Sequence, residues 1–213
     1  MSEQLFETAL VAFTTFFATM GPVDVAAIYA ALTVNNTPAE RRRMAVKGCA
    51  IAALILLAFL IFGNSVLNYM GITLPALRVA GGILLLLIGI KMVFADPSGG
   101  TTTTEDETRE AATKDDVSVF PLATPLIAGP GAMGAAVLLM GLTHGDVTLG
   151  AAVIGAMLAV VLITLALLMI ATQVQKLLGV TGLHVISRIF GVLLTALAVQ
   201  FFFDGIKTSG LLG

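Results

Sequence analysis

The sequence predicts an all-α integral membrane protein with six transmembrane helices, arranged as a 3+3 inverted repeat in which helices 1 and 4 are discontinuous. Three observations support this prediction. The composition is 58% hydrophobic and the mean hydropathy is +1.02, well above the roughly half apolar content of soluble domains. The apolar residues form six runs, each close to the ~20 residues that a spanning helix needs. A Gly-Pro pair interrupts the first run and the fourth.

A polar stretch after the third run divides the chain into two predicted repeats. Residues 1–94 form the first, residues 117–213 form the second, and residues 95–116 form a flexible linker with almost no apolar side chain to bury. Because three spans precede the linker, the second repeat enters the membrane from the opposite side. The predicted spans are 8–34, 46–67, 75–94, 117–142, 147–173 and 184–203.

Lysine and arginine are sorted between the two ends of these spans. Arg78 and Lys207 lie at one end, and the other basic residues lie at the end that carries the linker. Basic residues are in excess on the cytoplasmic side of membrane proteins, so both termini are expected to face away from the cytoplasm. The basic residues on the linker side are Arg41, Arg42, Arg43, Lys47, Lys91, Arg109, Lys114, Lys176 and Arg188.

The two halves share sequence features in the same order. Span three contains Arg-Val-Ala-Gly at 78–81 and Gly-Ile-Lys at 89–91, and span six contains Arg-Ile-Phe-Gly at 188–191 and Gly-Ile-Lys at 205–207. A single Gly-Pro pair in an apolar helix indicates a kink. Two pairs at corresponding positions of inverted halves indicate the midplane binding site of a transporter.

The two breaks differ in chemistry. The half-helix that begins at Pro130 offers free N–H groups at the positive end of its dipole, which suits a carboxylate. The other break carries Asp24, a deep acid that is expected to contact the ammonium group of a substrate or to carry a coupling proton; it could instead cap its half-helix. The candidate substrate-binding residues are Thr19, Met20, Gly21, Pro22, Val23, Asp24, Ala128, Gly129, Pro130, Gly131, Ala132 and Met133.

Several other function classes lack the residues that they need. The spans contain no deep histidine and no pair of nucleophile and base, so an enzyme is not expected and no catalytic residue is assigned. His144 and His184 have no partners at metal spacing, and no Walker loop is present, so neither a metal, a cofactor nor direct use of ATP is expected. Cys49 stands alone as a buried thiol, and no basic stripe suggests nucleic acid.

The segments 77–84 and 120–132 resemble the MarC family of bacterial inner-membrane proteins, which includes small neutral amino-acid transporters and is related to LysE-type exporters. The resemblance covers nearly the whole chain and implies a multi-pass protein of the bacterial inner membrane, so the termini that the basic residues place away from the cytoplasm are expected to be periplasmic. The first family motif usually reads Asn-Pro, then Gly, Pro and Phe. Here the matching positions are Gly21, Pro22, Asp24, Ala27 and Tyr29, so the resemblance implies the fold more strongly than the substrate.

Together, these features predict a secondary transporter of small neutral amino acids or similar metabolites. Transport is expected by alternating access, with one half rocking against the other around the broken helices and with a proton or Na⁺ as the coupling ion. The direction of transport and the oligomeric state stay open. The alternatives are a non-transporting membrane scaffold or stress-tolerance protein, and an exporter of an unrelated small solute.

Overall fold

The computed structural model describes residues 2–94 and 116–210, and the regular elements in this part of the chain are all helices. The predicted linker falls almost entirely outside the described residues, together with Arg109 and Lys114. The helices are α1 (Ser2–Met20), α2 (Pro22–Leu32), α3 (Pro38–Tyr69), α4 (Leu74–Phe94), α5 (Ser118–Ile127), α6 (Pro130–Leu142), α7 (Val147–Met169) and α8 (Ala171–Thr208).

Five stretches are long and apolar enough to cross a membrane, and α1 with α2 counts as one of them (Glu3–Leu32). The bent pair of α5 and α6 would make a sixth span. Large apolar side chains such as Leu54, Phe62, Leu87 and Leu162 are more than half exposed on the outside of the bundle. Such a surface would be unstable in water and is suited to lipid, so an integral membrane protein with five or six spans is confirmed.

Two helices begin much earlier than the apolar runs predicted. α3 begins at Pro38 rather than at residue 46, and α8 begins at Ala171 rather than at residue 184. The start of α3 is a capping box, in which the backbone N–H of Thr37 donates to the Glu40 carboxylate at 2.8 Å. Both helices continue into polar sequence because charged side chains can lie at the membrane surface. The connection predicted between spans five and six, residues 174–183, was wrong: these residues belong to α8, and the chain turns at Ile170.

The two halves of the chain are interlocked. α3 packs on α5, α6 and α7, and α7 packs on α1, α2 and α3. Among the described residues, helices of the same half contact one another sparsely. The buried core, with Phe16, Leu56, Leu138 and Met157 among its largest members, is therefore formed mainly between the halves.

The most extensive helix pair joins α4 to α8 in antiparallel orientation. Glycine makes this contact possible, because a Cβ atom on Gly82 would lie 2.7 Å from the carbonyl oxygen of Ala198. A Cβ atom on Gly205 would lie 2.9 Å from the backbone nitrogen of Val79, and one on Gly191 would lie 2.8 Å from Cβ of Met92. In lipid, helices associate through such close packing because no hydrophobic effect drives them together.

One end of the bundle collects polar contacts between the halves, and we call it the basic face (residues 33–47, 116–118 and 169–173). Lys47 Nζ lies 2.8 Å from Asp116 Oδ2, and Arg41 Nη1 donates to Thr172 Oγ1 at 2.9 Å. The hydrogen bond from Lys47, helped by the N–H of Ser118, lowers the pKa of Asp116 to about 2. Asp116 therefore stays charged at neutral pH, and this contribution to stability is lost only as the pH falls from about 4 toward 2.

Substitution of Gly82 by alanine tests the α4–α8 contact. The added Cβ atom would press on the backbone of α8, so Gly82→Ala is expected to destabilise the protein by about 1–3 kcal/mol. In detergent, this should lower the melting temperature by several degrees.

The matched control is Gly155→Ala on α7, where an added Cβ atom meets nothing within 4 Å. This variant should be neutral or slightly stabilising, because alanine is the better helix former by ~1 kcal/mol. Equal melting temperatures for the two variants would contradict the close contact.

Candidate functional site

The first helix break lies at Gly21, which has φ 55° and ψ 58°. This left-handed conformation suits glycine, and it separates α1 from α2 while the Gly21 N–H still donates to the carbonyl oxygen of Phe17 at 3.1 Å. Pro22 has no N–H, so the carbonyl of Ala18 loses the donor that a continuous helix would supply. The Asp24 carboxylate lies at this break, since a Cβ atom on Gly21 would be 3.4 Å from Asp24 Oδ2.

The second break separates α5 from α6, and the two helices are bent by 54° relative to each other. α5 is irregular: its hydrogen bonds include Leu122 N–H to Val117 C=O and Ala128 N–H to Ala123 C=O, both spanning five residues. Pro121 and Pro125 follow cis peptide bonds. The chain passes through Gly129 in an extended conformation before α6 begins.

The start of α6 leaves two buried backbone donors. Met133 N–H donates to the Gly129 carbonyl at 3.0 Å, as in the first turn of any helix. Gly131 and Ala132 are buried, and their N–H groups have no acceptor among the described residues. Met133 is a predicted site residue, but its N–H is already used, so the free N–H donors at this break are those of Gly131 and Ala132.

The two breaks meet inside the bundle. A Cβ atom added to Gly131 would lie 3.9 Å from Cβ of Thr19, and it would collide with Cδ1 of Ile88 on α4. Met92, one turn further along α4, lines a cavity beside Asp24. One face of α4 therefore covers the ends of both breaks, and it brings the candidate residues of α1, α2 and α6 into one neighbourhood.

The cavity beside Asp24 is small. Its volume is about 10 Å³, which is about the space that one water molecule requires. Phe17 on α1 and Phe190 on α8 form part of its wall, with ring centroids 4.5 Å apart. In this arrangement the cavity is too small to hold an amino acid.

Several predicted site residues have local roles. The Thr19 hydroxyl donates to the carbonyl of Thr15 at 2.8 Å, so its oxygen can accept a hydrogen bond but its proton is used. Met20 is buried in the core, whereas Pro130 is exposed. Gly21, Pro22, Val23 and Asp24 line the small cavity, and Ala128 and Gly129 are buried at the second break.

The side chains that α4 and α8 contribute to the candidate site were not predicted from the sequence. Ile88 and Met92 are spaced by four residues on α4, and Ile186 and Phe190 are spaced by four on α8. This spacing places each pair on one helix face. Neither pair was distinguishable from lipid-facing apolar residues, because both kinds of surface use the same residue types.

Comparison with known proteins assigns the family. The profile described as "MarC family integral membrane protein" matches residues 6–209. This chain belongs to the MarC family. A UPF0056 membrane protein of Methanocaldococcus jannaschii is 36% identical over 93% of this chain and 95% of its own length. No solved structure matches the chain.

Bacterial relatives are similarly close to this MarC protein. The UPF0056 membrane protein YvbG of Bacillus subtilis is 35% identical over 92% of both chains. The UPF0056 membrane protein YhcE of Escherichia coli is 32% identical over 90% of this chain and 88% of its own length. These names establish a family of membrane proteins and give no substrate, so the function of this MarC protein must be argued from its own residues.

Two glycines of this MarC protein have positive φ, and comparing their alanine variants distinguishes the effect of backbone strain from an effect on the site. Gly21→Ala and Gly71→Ala should each cost about 1 kcal/mol, because both residues are left-handed, with φ of 55° and 68°. Only Gly21→Ala places a Cβ atom against the Asp24 carboxylate, whereas an added Cβ at Gly71 meets nothing within 4 Å. The melting temperatures of the two variants in detergent should therefore fall by the same amount.

Labelling of the Asp24 carboxyl by a carbodiimide should then change in Gly21→Ala and stay unchanged in Gly71→Ala. The same labelling of Asp24 in both variants would show that Gly21 does not shape the surroundings of this acid.

Proposed function

We propose that this protein is a secondary transporter that moves small neutral amino acids across the bacterial inner membrane by alternating access. The observation that carries the proposal is the contact between the two helix breaks, where Thr19 of the first approaches Gly131 of the second. Helix breaks at membrane depth are tolerated where they are buried in protein or line a cavity. A pair of them in contact is the usual construction of a transporter site.

The groups at the two breaks complement the two ends of a zwitterion. The N–H groups of Gly131 and Ala132 lie at the positive end of α6 and suit the ligand's carboxylate. The Asp24 carboxylate and the carbonyl of Ala18 suit its ammonium group. An amino acid would use the charge complementarity of both sets, whereas a solute with a single charge would use that of only one.

The helix packing supports the proposed 3+3 inverted repeat with discontinuous first helices. α3 packs on α5 and α6, and its counterpart α7 packs on α1 and α2; α4 and α8 pack on each other. Exchange of the two halves therefore leaves these contacts unchanged. This is the pattern that two inverted copies related by a pseudo-two-fold axis would produce.

Because the two halves are interlocked, we propose that the parts that move against each other during transport are not the two halves themselves. α4 and α8 share the closest contact, so we propose that they move as one body. The half-helix after each break reaches this body, since α2 contacts α8 and α6 contacts α4. Gly21 and Gly129 would then act as hinges, and separation of Phe17 from Phe190 would enlarge the small cavity.

The positive-inside rule places the basic face in the cytoplasm and both termini in the periplasm. Arg41, Arg42, Arg43 and Lys47 lie together at this face. Asp24 is the candidate carrier of a coupling proton, and Na⁺ bound by the carbonyl groups at the first break is the alternative. No step of the proposed cycle requires a cofactor.

Replacement of Asp24 by asparagine tests the proposal. The change keeps the shape of the side chain and removes its charge. As a test substrate, the free amino acid alanine should therefore bind at least about tenfold more weakly, which corresponds to a loss of ~1.4 kcal/mol in binding free energy. The measurements are thermal stabilisation of the purified protein by a panel of amino acids, followed by counterflow in proteoliposomes.

The matched control is Asp204→Asn, near the end of α8, where the carboxylate accepts a hydrogen bond from Gln200 at 3.0 Å. This variant should bind and transport like the wild type. A wild-type protein that responds to no amino acid would favour the non-transporting scaffold. If Asp24→Asn binds amino acids with unchanged affinity, transport stays possible, but Asp24 does not contact the substrate.

A further inference from the structure

A second cavity lies at the basic face, away from the helix breaks. Its volume is about 330 Å³, which falls in the range of small-molecule sites, ~300–1,000 Å³. It lies between the end of α2, the start of α3 and the turn from α7 to α8. The lining residues are Tyr29, Thr33, Pro38, Arg41, Leu168, Met169, Ala171, Thr172 and Gln173.

Arg41 is the charged residue in this lining, and it is held in place by neutral groups. Its Nε donates to the Thr33 carbonyl at 2.7 Å, and its Nη1 donates to the Thr172 hydroxyl at 2.9 Å. A guanidinium has five N–H groups, so three remain without an acceptor among the described residues. Two neutral contacts fix the orientation of the side chain, and within the described part of the chain no acidic side chain pairs with its charge.

Among the residues that the structure describes, no carboxylate lines the cavity to balance this charge. Glu40, the neighbouring acid in the sequence, is engaged by the backbone and hydroxyl of Thr37. Asp116 is paired with Lys47 instead. Arg42 and Arg43 follow Arg41 at the same face and add to its positive potential, which raises the local concentration of anions.

We propose that this cavity binds a phosphate group, with the Arg41 guanidinium as its principal donor. A planar guanidinium matches the oxygens of phosphate with two parallel hydrogen bonds. The Tyr29 hydroxyl already donates its proton to the carbonyl oxygen of Arg41, so the Thr172 hydroxyl and the Gln173 amide are the further donors in the same cavity. The site lies where the helices leave the apolar region, so the phosphate can belong to the headgroup of an acidic lipid or to a soluble anion.

The test measures thermal unfolding of the purified full-length protein in detergent at constant ionic strength. One arm titrates inorganic phosphate against chloride. The other adds phosphatidylglycerol, with a galactolipid that lacks phosphate as its control. A ligand at ten times its dissociation constant should raise the melting temperature by about 3–5 °C, and above that concentration the shift should grow only with the logarithm of the ligand concentration.

Arg41→Gln should weaken phosphate binding at least tenfold. Arg42→Gln is the matched control: it removes only part of the surrounding positive potential and should weaken binding far less. Thr172→Val should also weaken binding, but less than Arg41→Gln, because this variant removes a hydroxyl that holds Arg41 and leaves the guanidinium itself. If Arg41→Gln does not fold, Arg41→Lys replaces it; loss of the planar fork should then weaken phosphate binding severalfold.

The two arms identify the source of the phosphate. A shift with inorganic phosphate indicates a soluble anion, a shift with phosphatidylglycerol alone indicates a lipid headgroup, and either supports the site. Phosphate also stabilises proteins in general by exclusion from their surface. A shift that rises linearly with phosphate concentration, or one that is equal in Arg41→Gln and Arg42→Gln, would overturn the proposal, as would no shift in either arm.

Discussion

The close contact between α4 and α8 is the constraint on which the rest of the structure depends. Lipid offers helices no hydrophobic reason to associate, so the bundle relies on close approach of backbones. Gly82 and Gly205 permit that approach, because a Cβ atom on either would press into the backbone of the opposite helix. The contact joins the two halves of the chain, and it fixes the surface, with Ile88 and Phe190, against which both helix breaks lie.

This arrangement explains why broken helices are stable at the centre of the bundle. A break exposes backbone groups that would cost several kcal/mol each in lipid. Here α4 and α8 cover the breaks, and the Asp24 carboxylate and the N–H groups of Gly131 and Ala132 face protein. The same groups become useful if the cover moves, because they then offer charge and hydrogen bonds in a medium of low dielectric. Stability and the proposed transport depend on the same contact.

The sequence predicted the parts of the structure that depend on local chemistry. Apolar runs located the spans, and the Gly-Pro pairs located Gly21 and Gly129, because proline removes a hydrogen bond wherever it occurs. Contacts between distant segments were not predictable. The partners of Gly82 on α8 and the closure of Phe17 on Phe190 depend on how helices cross. Thr37 and Glu40 form a capping box that could have predicted the early start of α3. The spans were predicted from apolar runs, and this method does not register polar capping residues.

The central claim is that the two breaks meet at a site that must open during transport. Thr19→Cys with Gly131→Cys tests it directly in a Cys49→Ala, Ile88→Ala background, because a Cβ–Cβ separation of 3.9 Å suits a disulfide. Oxidation should form an intrachain bond and stop counterflow of alanine in proteoliposomes, and reduction should restore it. Failure to form the bond, or transport that continues after it has formed, would contradict the account.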